Sequence, residues 1–390
     1  EVLAQGGAQV DLYDAMPTVG HKFLLAGRGG LNLTHAEDFE PFVQRYAERA
    51  VQVRPWLESF NPQALREWVH GLGIETFVGT SGRVFPTDMK AAPLLRAWLQ
   101  RLKTGGVRVH TRHRWLGWTD DGALSFASPQ GPVSVRADAT VLALGGASWS
   151  RLGSDGAWWP MLDAKGVGLS PLKPANCGFD VAGGWSAFLR ERFAGQPVKP
   201  VVASVSLPHG PAIRQQGEFV LTETGVEGSL VYAASALLRD DLRVQGQAQM
   251  VLDLLPGKTL SQVEKEAAWP RGSRSLSSHL KSRLGLDGVK MGLIYELCTP
   301  GCLAQPEALA RSLKNLSIPL KRPRPVAEAI STAGGVTWAS MTPGGMLKQR
   351  PGVYCAGEML DWEAPTGGYL LTATMASGVR AGEGAAAWLA

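Results

Sequence analysis

Apolar and polar positions alternate over residues 8–14, AQVDLYD, where Val10 and Leu12 have polar neighbours and the run ends on an acid. Period two of this kind is a strand pattern. Over 91–102 the apolar residues Ala91, Leu94, Leu95, Trp98, Leu99 and Leu102 follow the spacing of one helix face. Thr87 or Asp88 can cap that helix, and Gly105-Gly106 can end it. The next stretch, GVRVHTRHRWLGW, alternates Val107 and Val109 and predicts a strand over 107–115. Residues 139–144, ATVLAL, are apolar without interruption and close on Gly145-Gly146. Such a run fits a strand buried on both faces of a parallel sheet. Strands alternating with helices predict a doubly wound parallel sheet in an α/β domain.

The pattern changes in the middle of the chain. CGFDV, VVASVSL, GEFVLTET and QMVLDLL are β-rich runs separated by turn residues. Segments around SQVEKEAAW, SLSSHLKSRLG, KMGLIYELC and PEALARSLKNL then read as helices, before strand patterns return in AISTAGGV and GVYCAG. This order predicts an α/β domain from 1–168 and 326–390. Interrupting it are a β-rich, barrel-like domain (169–256 and 318–325) and a small helical one (257–317).

Composition narrows the function classes. A length of 390 residues allows two or three domains, and 45% hydrophobic residues suffice for real cores. The net charge of +5 is mild, and the one basic cluster, LKRPRPV at 320–326, reads as a linker. No nucleic-acid partner is expected from so scattered a basic content. No apolar run reaches the ~20 residues that span a bilayer, so no membrane association is expected either. Four cysteines form no framework. Cys298 and Cys302 make a lone CxxxC without grouped histidines, which argues against zinc; a redox pair is conceivable, but a structural role is favoured, and reduced cysteines in a cytoplasmic protein fit best.

The candidate chemistry sits at strand ends. In PGVYCAGEMLDWEAPTGGYLLTATMASG (351–378), an apolar run stops at Gly357-Glu358, and Gly367-Gly368 precede a helix beginning near Tyr369. Open parallel sheets bind ligands beyond the carboxyl ends of their strands. Glycine there lets a ligand approach the backbone, and a helix start offers unpaired N–H groups and about half a positive charge. Asp14 ends the first strand, where a ribose-binding acid belongs. The GxGxxG that should precede such an acid by about 20 residues would fall before Glu1. The sequence reading therefore predicts a chain that lacks its first strand and phosphate-binding turn.

Taken together, GHKFLLAGRGGLNLTH (20–35), GRVFPTDMKA (82–91), LALGGASWSRLGSDGAWW (142–159), GEFVLTETGVEGSLVYAAS (217–235), STAGGVTW and the C-terminal stretch quoted above resemble a known family over essentially the whole chain. It is the bacterial FAD-binding, aminoacetone-oxidase-like family that includes the 3-dehydro-bile-acid Δ4,6-reductases, and the resemblance is strongest to a proteobacterial branch. The family's middle loop usually reads GRGRCNLTN; here Gly30-Leu31 replace Arg-Cys, removing a positive charge. The resemblance implies a glutathione-reductase-type FAD domain with inserted barrel and helical domains.

It also implies site residues. Lys22 and Arg28 would offer charge to the pyrophosphate or flavin edge, and Asn32 and Thr34 would offer polar contacts. Trp115 would lie near adenine. Gly145, Gly146 and Gly357 would admit the cofactor, and Glu358 would accept hydrogen bonds from ribityl-like hydroxyls. Gly367 and Gly368 would open the last helix, with Tyr369 flanking the isoalloxazine. Trp362 and Glu363 would face substrate or solvent, and Ser154 with Asp155 would cap a helix start.

Flavin supplies the redox chemistry and the protein positions it. No GxSxG, HExxH or Cys-His arrangement competes with that reading. The expected activity is reduction of an activated alkene, or oxidation of an amine or alcohol, on a small-molecule substrate. NAD(P)H is a candidate transient donor, without a glycine fingerprint of its own. The other readings are a non-catalytic or RNA-modification-associated flavoprotein, and an inactive truncated chain. No catalytic acid or base stands out.

Overall fold

The strand in AQVDLYD forms as Asp11–Asp14 and pairs in parallel with Arg108–Thr111, Asp14 lying opposite Thr111. The computed structural model describes residues 1–27, 29–207 and 212–390. They divide into two bodies, residues 1–174 with 326–390, and residues 175–325.

In the first body a second parallel ladder joins Thr140–Leu142 to Val353–Cys355, with Cys355 opposite Leu142. The long helix Tyr369–Leu389 packs on both of these strands. Two antiparallel sheets accompany the parallel ladders. One is the meander Arg114–Trp118, Leu124–Ser128 and Gly131–Val135. The other orders Thr34–His35, Arg83–Pro86 and Thr76–Val78. A core of Phe42, Tyr46, Leu57, Leu162 and Met359 is 0–1% exposed. Each such side chain contributes about 1.5–3 kcal/mol by leaving water.

Two local expectations for this body change. The strand expected over 107–115 is two strands, because Arg112 adopts φ +59° between them. At that bend the Arg112 and His113 N–H groups donate to the carbonyls of Met16 and Asp14, at 2.9 Å each. The helix over 91–104 forms and buries Ala91, Leu94, Leu95 and Leu102, but its N-cap is Lys90 rather than Thr87 or Asp88. Met89, at φ +63°, turns the chain just ahead of it. Asp88 therefore accepts the Lys90 N–H at 3.0 Å, and Thr87 donates to the Glu75 carbonyl.

The second body is a closed six-stranded barrel. Its strands run in the order Phe179–Val181, Gly225–Glu227, Ala212–Leu221, Pro197–Ser206, Ala248–Asp253 and Leu316–Pro323. Phe179, Phe219, Leu221, Met250 and Ile318 are fully buried. The helix Ser229–Gln245, which follows Gly228, lies within the stretch 169–256 expected to be β-rich. Helices Leu260–Ala267, Leu276–Leu284, Gly288–Leu297, Pro300–Ala304 and Pro306–Lys314 follow, three of them capped by Thr259, Ser275 and Thr299 side chains. The basic cluster is no linker. Leu320–Pro323 belong to a barrel strand, and Arg322 and Arg324 hold the buried Asp180 at 2.7 and 3.1 Å.

Candidate functional site

Three chain segments that leave strand ends meet at one side chain. Beyond Asp14 the chain turns into the helix His21–Ala26 and carries Lys22. The Lys22 ammonium donates to Ser148 Oγ at 2.8 Å and to Glu358 Oε2 at 2.5 Å. Ser148 lies just past Gly145-Gly146, and Glu358 lies in the short turn Gly357–Met359 that follows Val353–Cys355. The other carboxylate oxygen of Glu358 accepts the Thr332 N–H at 2.9 Å, and the Gly146 N–H approaches Oε2 at 3.4 Å. Side-chain exposures of 30% for Lys22 and 14% for Glu358 make this a half-sheltered pair at the sheet's edge.

Glycine is obligatory at the centre of that junction. A Cβ on Gly146 would stand 2.3 Å from Thr332 Oγ1 and 3.2 Å from the Glu358 carboxyl carbon. Gly357, at φ +82°, donates its N–H to Ser377 Oγ at 2.9 Å, and its carbonyl accepts Trp362 Nε1 at 3.0 Å. Trp362 is therefore neither a substrate-facing nor a solvated residue. It is 3% exposed, because its indole braces the turn that presents Glu358.

Asp14 and Trp115 form a second group. Asp14 closes an Asx turn on the Met16 N–H at 2.8 Å, and Met16 abuts Gly153, which ties this turn to the loop after Gly146. Trp115 is 8% exposed and packs edge-on to Trp118, with ring centres 4.9 Å apart. Its Nε1 has no hydrogen-bond partner. Ser154 Oγ, 5% exposed beside Gly145, is equally without one. The cap in this loop is Asp155, which accepts the Ala157 N–H at 3.1 Å and pairs with Arg114 at 2.7 Å.

Asn32, Thr34, Gly367, Gly368 and Tyr369 gather where the last helix begins. Thr34 is fully buried and accepts from Thr372 Oγ1 at 2.9 Å. Gly368, at φ +94°, is the helix N-cap, and a Cβ there would stand 2.4 Å from the Thr34 Cα. Its glycine is required by the backbone of residue 34. Asn32 Oδ1 is buried without a partner. Tyr369 is 5% exposed; its hydroxyl donates to Glu37 at 2.6 Å, its ring stacks on His35, and Arg45 lies over its face. Burial and the Glu37 acceptor hold the phenol far above its ordinary pKa, so it stays protonated. Burial pushes the Glu37 carboxyl up, but hydrogen bonds from Arg45 and Tyr369 outweigh it and leave that acid below the usual range. The same helix reaches the first group through Ser377. Arg28 lies outside the described residues.

The structure thus brings Lys22, Gly145, Gly146, Gly357 and Glu358 into one junction. It places Asp14 with Trp115 beside the loop after Gly146, and the remaining residues at the helix start. Sequence reasoning missed Ser148 and Thr332, which complete the junction. AISTAGGV carries only a strand signal, and nothing in it marks a backbone N–H for use by an acid 26 residues away.

The donor set suits FAD. Buried polar atoms are ordinarily hydrogen-bonded, and here Asn32 Oδ1, Trp115 Nε1 and Ser154 Oγ stand unpartnered among residues flanking the strand-end loops. At the junction, a carboxylate is able to accept from hydroxyls and an ammonium to pair with phosphate. This is the layout of a Rossmann-type flavoprotein, an α/β fold whose strand-end loops hold a dinucleotide.

A family model described as the HI0933-like protein Rossmann domain matches residues 1–384, and the chain belongs to that family, an FAD-binding group of oxidoreductases. The chain is 27% identical over 401 residues to the 3-dehydro-bile acid Δ(4,6)-reductase of Clostridium scindens, covering 98% of this chain and 94% of that one. Among solved structures, a flavocytochrome c3 fumarate reductase in its open conformation aligns with 99% of this chain and 75% of its own, at 14% identity and a TM-score of 0.49. The 3-ketosteroid-Δ4-(5α)-dehydrogenase of Rhodococcus jostii RHA1 aligns with 99% and 93%, at 15% identity and a TM-score of 0.47. No helix among the described residues is long and apolar enough to cross a membrane.

Proposed function

We propose that this protein reduces an activated carbon–carbon double bond in a small, largely apolar ring-system substrate, using FAD. The observation that carries the cofactor part is the Lys22–Ser148–Glu358 junction, where a cation and an acid from different strand ends share one cradle. Glu358 would accept hydrogen bonds from the sugar-like chain, and Lys22 would face the pyrophosphate or the flavin edge. Gly145, Gly146 and Gly357 would let the cofactor approach the backbone there, the Gly357 N–H being held by Ser377, with Arg28 as the further cation that the family's loop implies. Asn32 would bind beside the helix start, where Thr34, fully buried against Thr372, would shape the corner rather than touch the cofactor; Trp115 would lie near the adenine end and Asp14 toward the ribose.

FAD, when bound, supplies hydride transfer. The protein's share is to hold it against substrate and exclude water. Tyr369, kept protonated and fixed by Glu37, would brace the helix start opened by Gly367 and Gly368. The substrate part rests on the similarity to a reductase over nearly the full length of both chains. Apolar surface beside the 30–35 loop supports it. Phe77 and Val78 are exposed, Phe85 stacks on Phe77 at 5.8 Å, and Phe85 lies in contact range of Gly30. A nicotinamide would serve as a transiently docked donor.

The test is anaerobic. The FAD-loaded protein is reduced, then mixed with 3-ketosteroids that carry a conjugated double bond, and flavin reoxidation is followed. A conjugated enone should accelerate reoxidation well above the buffer rate, and the saturated ketone should not. Reoxidation indifferent to every enone tried would remove the reductase reading while leaving flavin binding in place.

A further inference from the structure

The helical segment of the second body holds a thiol pair that the flavin reading leaves unused. Cys298 is the C-cap of helix Gly288–Leu297, and Cys302 lies in the first turn of Pro300–Ala304, after the Thr299 cap. The two side chains interact with each other, and the Ser312 hydroxyl reaches both, at 3.1 Å from Cys302 Sγ. Neither cysteine is in a disulfide. Cys298 is 9% exposed, while Cys302 is only partly covered. Gly301 stands between them, and nothing lies within 4 Å of the place a Cβ would occupy there.

We propose that Cys298 and Cys302 form a reversible disulfide, a two-electron redox site oxidised by hydroperoxides. Cys302, the more accessible, is the attacking sulfur. Its thiolate displaces hydroxide from the peroxide oxygen and becomes a sulfenic acid. The Cys298 sulfur then attacks that sulfur, and water leaves. In total, two thiols and one hydrogen peroxide give one disulfide and two waters; the sulfur pair loses two electrons and two protons. Burial, reinforced by the neighbouring Cys302, pushes the Cys298 thiol up to about 12. That keeps Cys298 protonated at neutral pH and excludes it as the sulfur that attacks peroxide; as it resolves the sulfenic acid its proton leaves with the departing hydroxyl as water. Ser312 is placed to donate to the Cys302 thiolate.

The experiment treats the folded, full chain with hydrogen peroxide, blocks remaining thiols by alkylation, and maps the peptides with and without dithiothreitol. The expected result is a fall from four titratable thiols in the denatured protein to two. A 298–302 cross-linked peptide should appear and be lost on reduction, with the far-ultraviolet dichroism unchanged. Cys302→Ser should abolish thiol loss at the same exposure. Cys298→Ser should leave a sulfenic acid at Cys302 that a dimedone probe captures. Four surviving thiols under conditions that oxidise free cysteine, or loss without the 298–302 link, would overturn the proposal. The reading is independent of the flavin site, so its failure leaves that site untouched.

Discussion

The buried acids of the barrel body and the strand-end residues of the other body meet their hydrogen-bonding needs differently, although Arg283 Nε in the barrel body is also without a partner. In the barrel body the buried acids are saturated. Asp180 is held by Thr224, Arg322 and Arg324, and Asp253 by Lys314. Four of its positive-φ glycines, Gly183, Gly195, Gly246 and Gly285, turn the chain in open space, whereas Gly225 packs against the Phe179 carbonyl of the paired strand. In the other body Asn32, Trp115 and Ser154 keep buried polar atoms without partners, and Gly146 and Gly368 press directly on other parts of the chain. A saturated network specifies a fold. An unsatisfied one beside closely packed loops is where a ligand completes the hydrogen bonding.

That contrast can be broken by substitution. Gly368→Ala should have the largest effect on stability. The new Cβ would stand 2.4 Å from the Thr34 Cα, and φ is +94°, so overpacking and left-handed strain add. The expected loss exceeds about 3 kcal/mol by urea unfolding. A loss under about 1 kcal/mol would mean that residue 34 can move away and the glycine is merely a turn.

Asp180→Asn should cost about 2 kcal/mol, since it removes a buried acceptor of charged donors. Its pH dependence has a definite sign. Burial pushes the Asp180 carboxyl up, but bonds from Thr224, Arg322 and Arg324 outweigh this and depress it below the usual value. The stability it contributes is thus present above the unfolded-state pKa of about 3.9 and is lost as pH falls toward the lower folded value. The wild type should lose stability faster than Asp180→Asn through that acid window. Parallel curves would assign the acid limb to other carboxylates. Gly195→Ala, also in the barrel body at φ +83° but with nothing near its Cβ, should show backbone strain alone, about 1 kcal/mol.

How much of this was legible in the sequence follows from range. Gly145-Gly146 and Gly357-Glu358 were visible because an apolar run ending on glycine is a local signal. The stripe from Ala91 to Leu102 was visible for the same reason. The bend at Arg112 was not, because alternation of Val107 and Val109 continues through it and a positive φ at arginine leaves no compositional trace. Lys22 was a candidate, but its meeting with Glu358, 336 positions away, is set by strand order rather than by spacing. Thr332 contributes a backbone N–H, which every residue but proline has. Trp362 misled because an acid-flanked loop reads as exposed, whereas the Gly357 carbonyl and Tyr46 draw the indole inward.

The central claim is that Glu358, presented by one strand end and steadied from two others, holds FAD. Its most direct test is the FAD dissociation constant of the wild type and of Glu358→Ala, measured by fluorescence quenching on protein that unfolds at comparable temperatures. The account predicts bound flavin in the wild type and at least tenfold weaker retention in the variant, about 1.4 kcal/mol or more. Equal affinities in the two proteins, or a folded wild type that takes up no FAD, would contradict it.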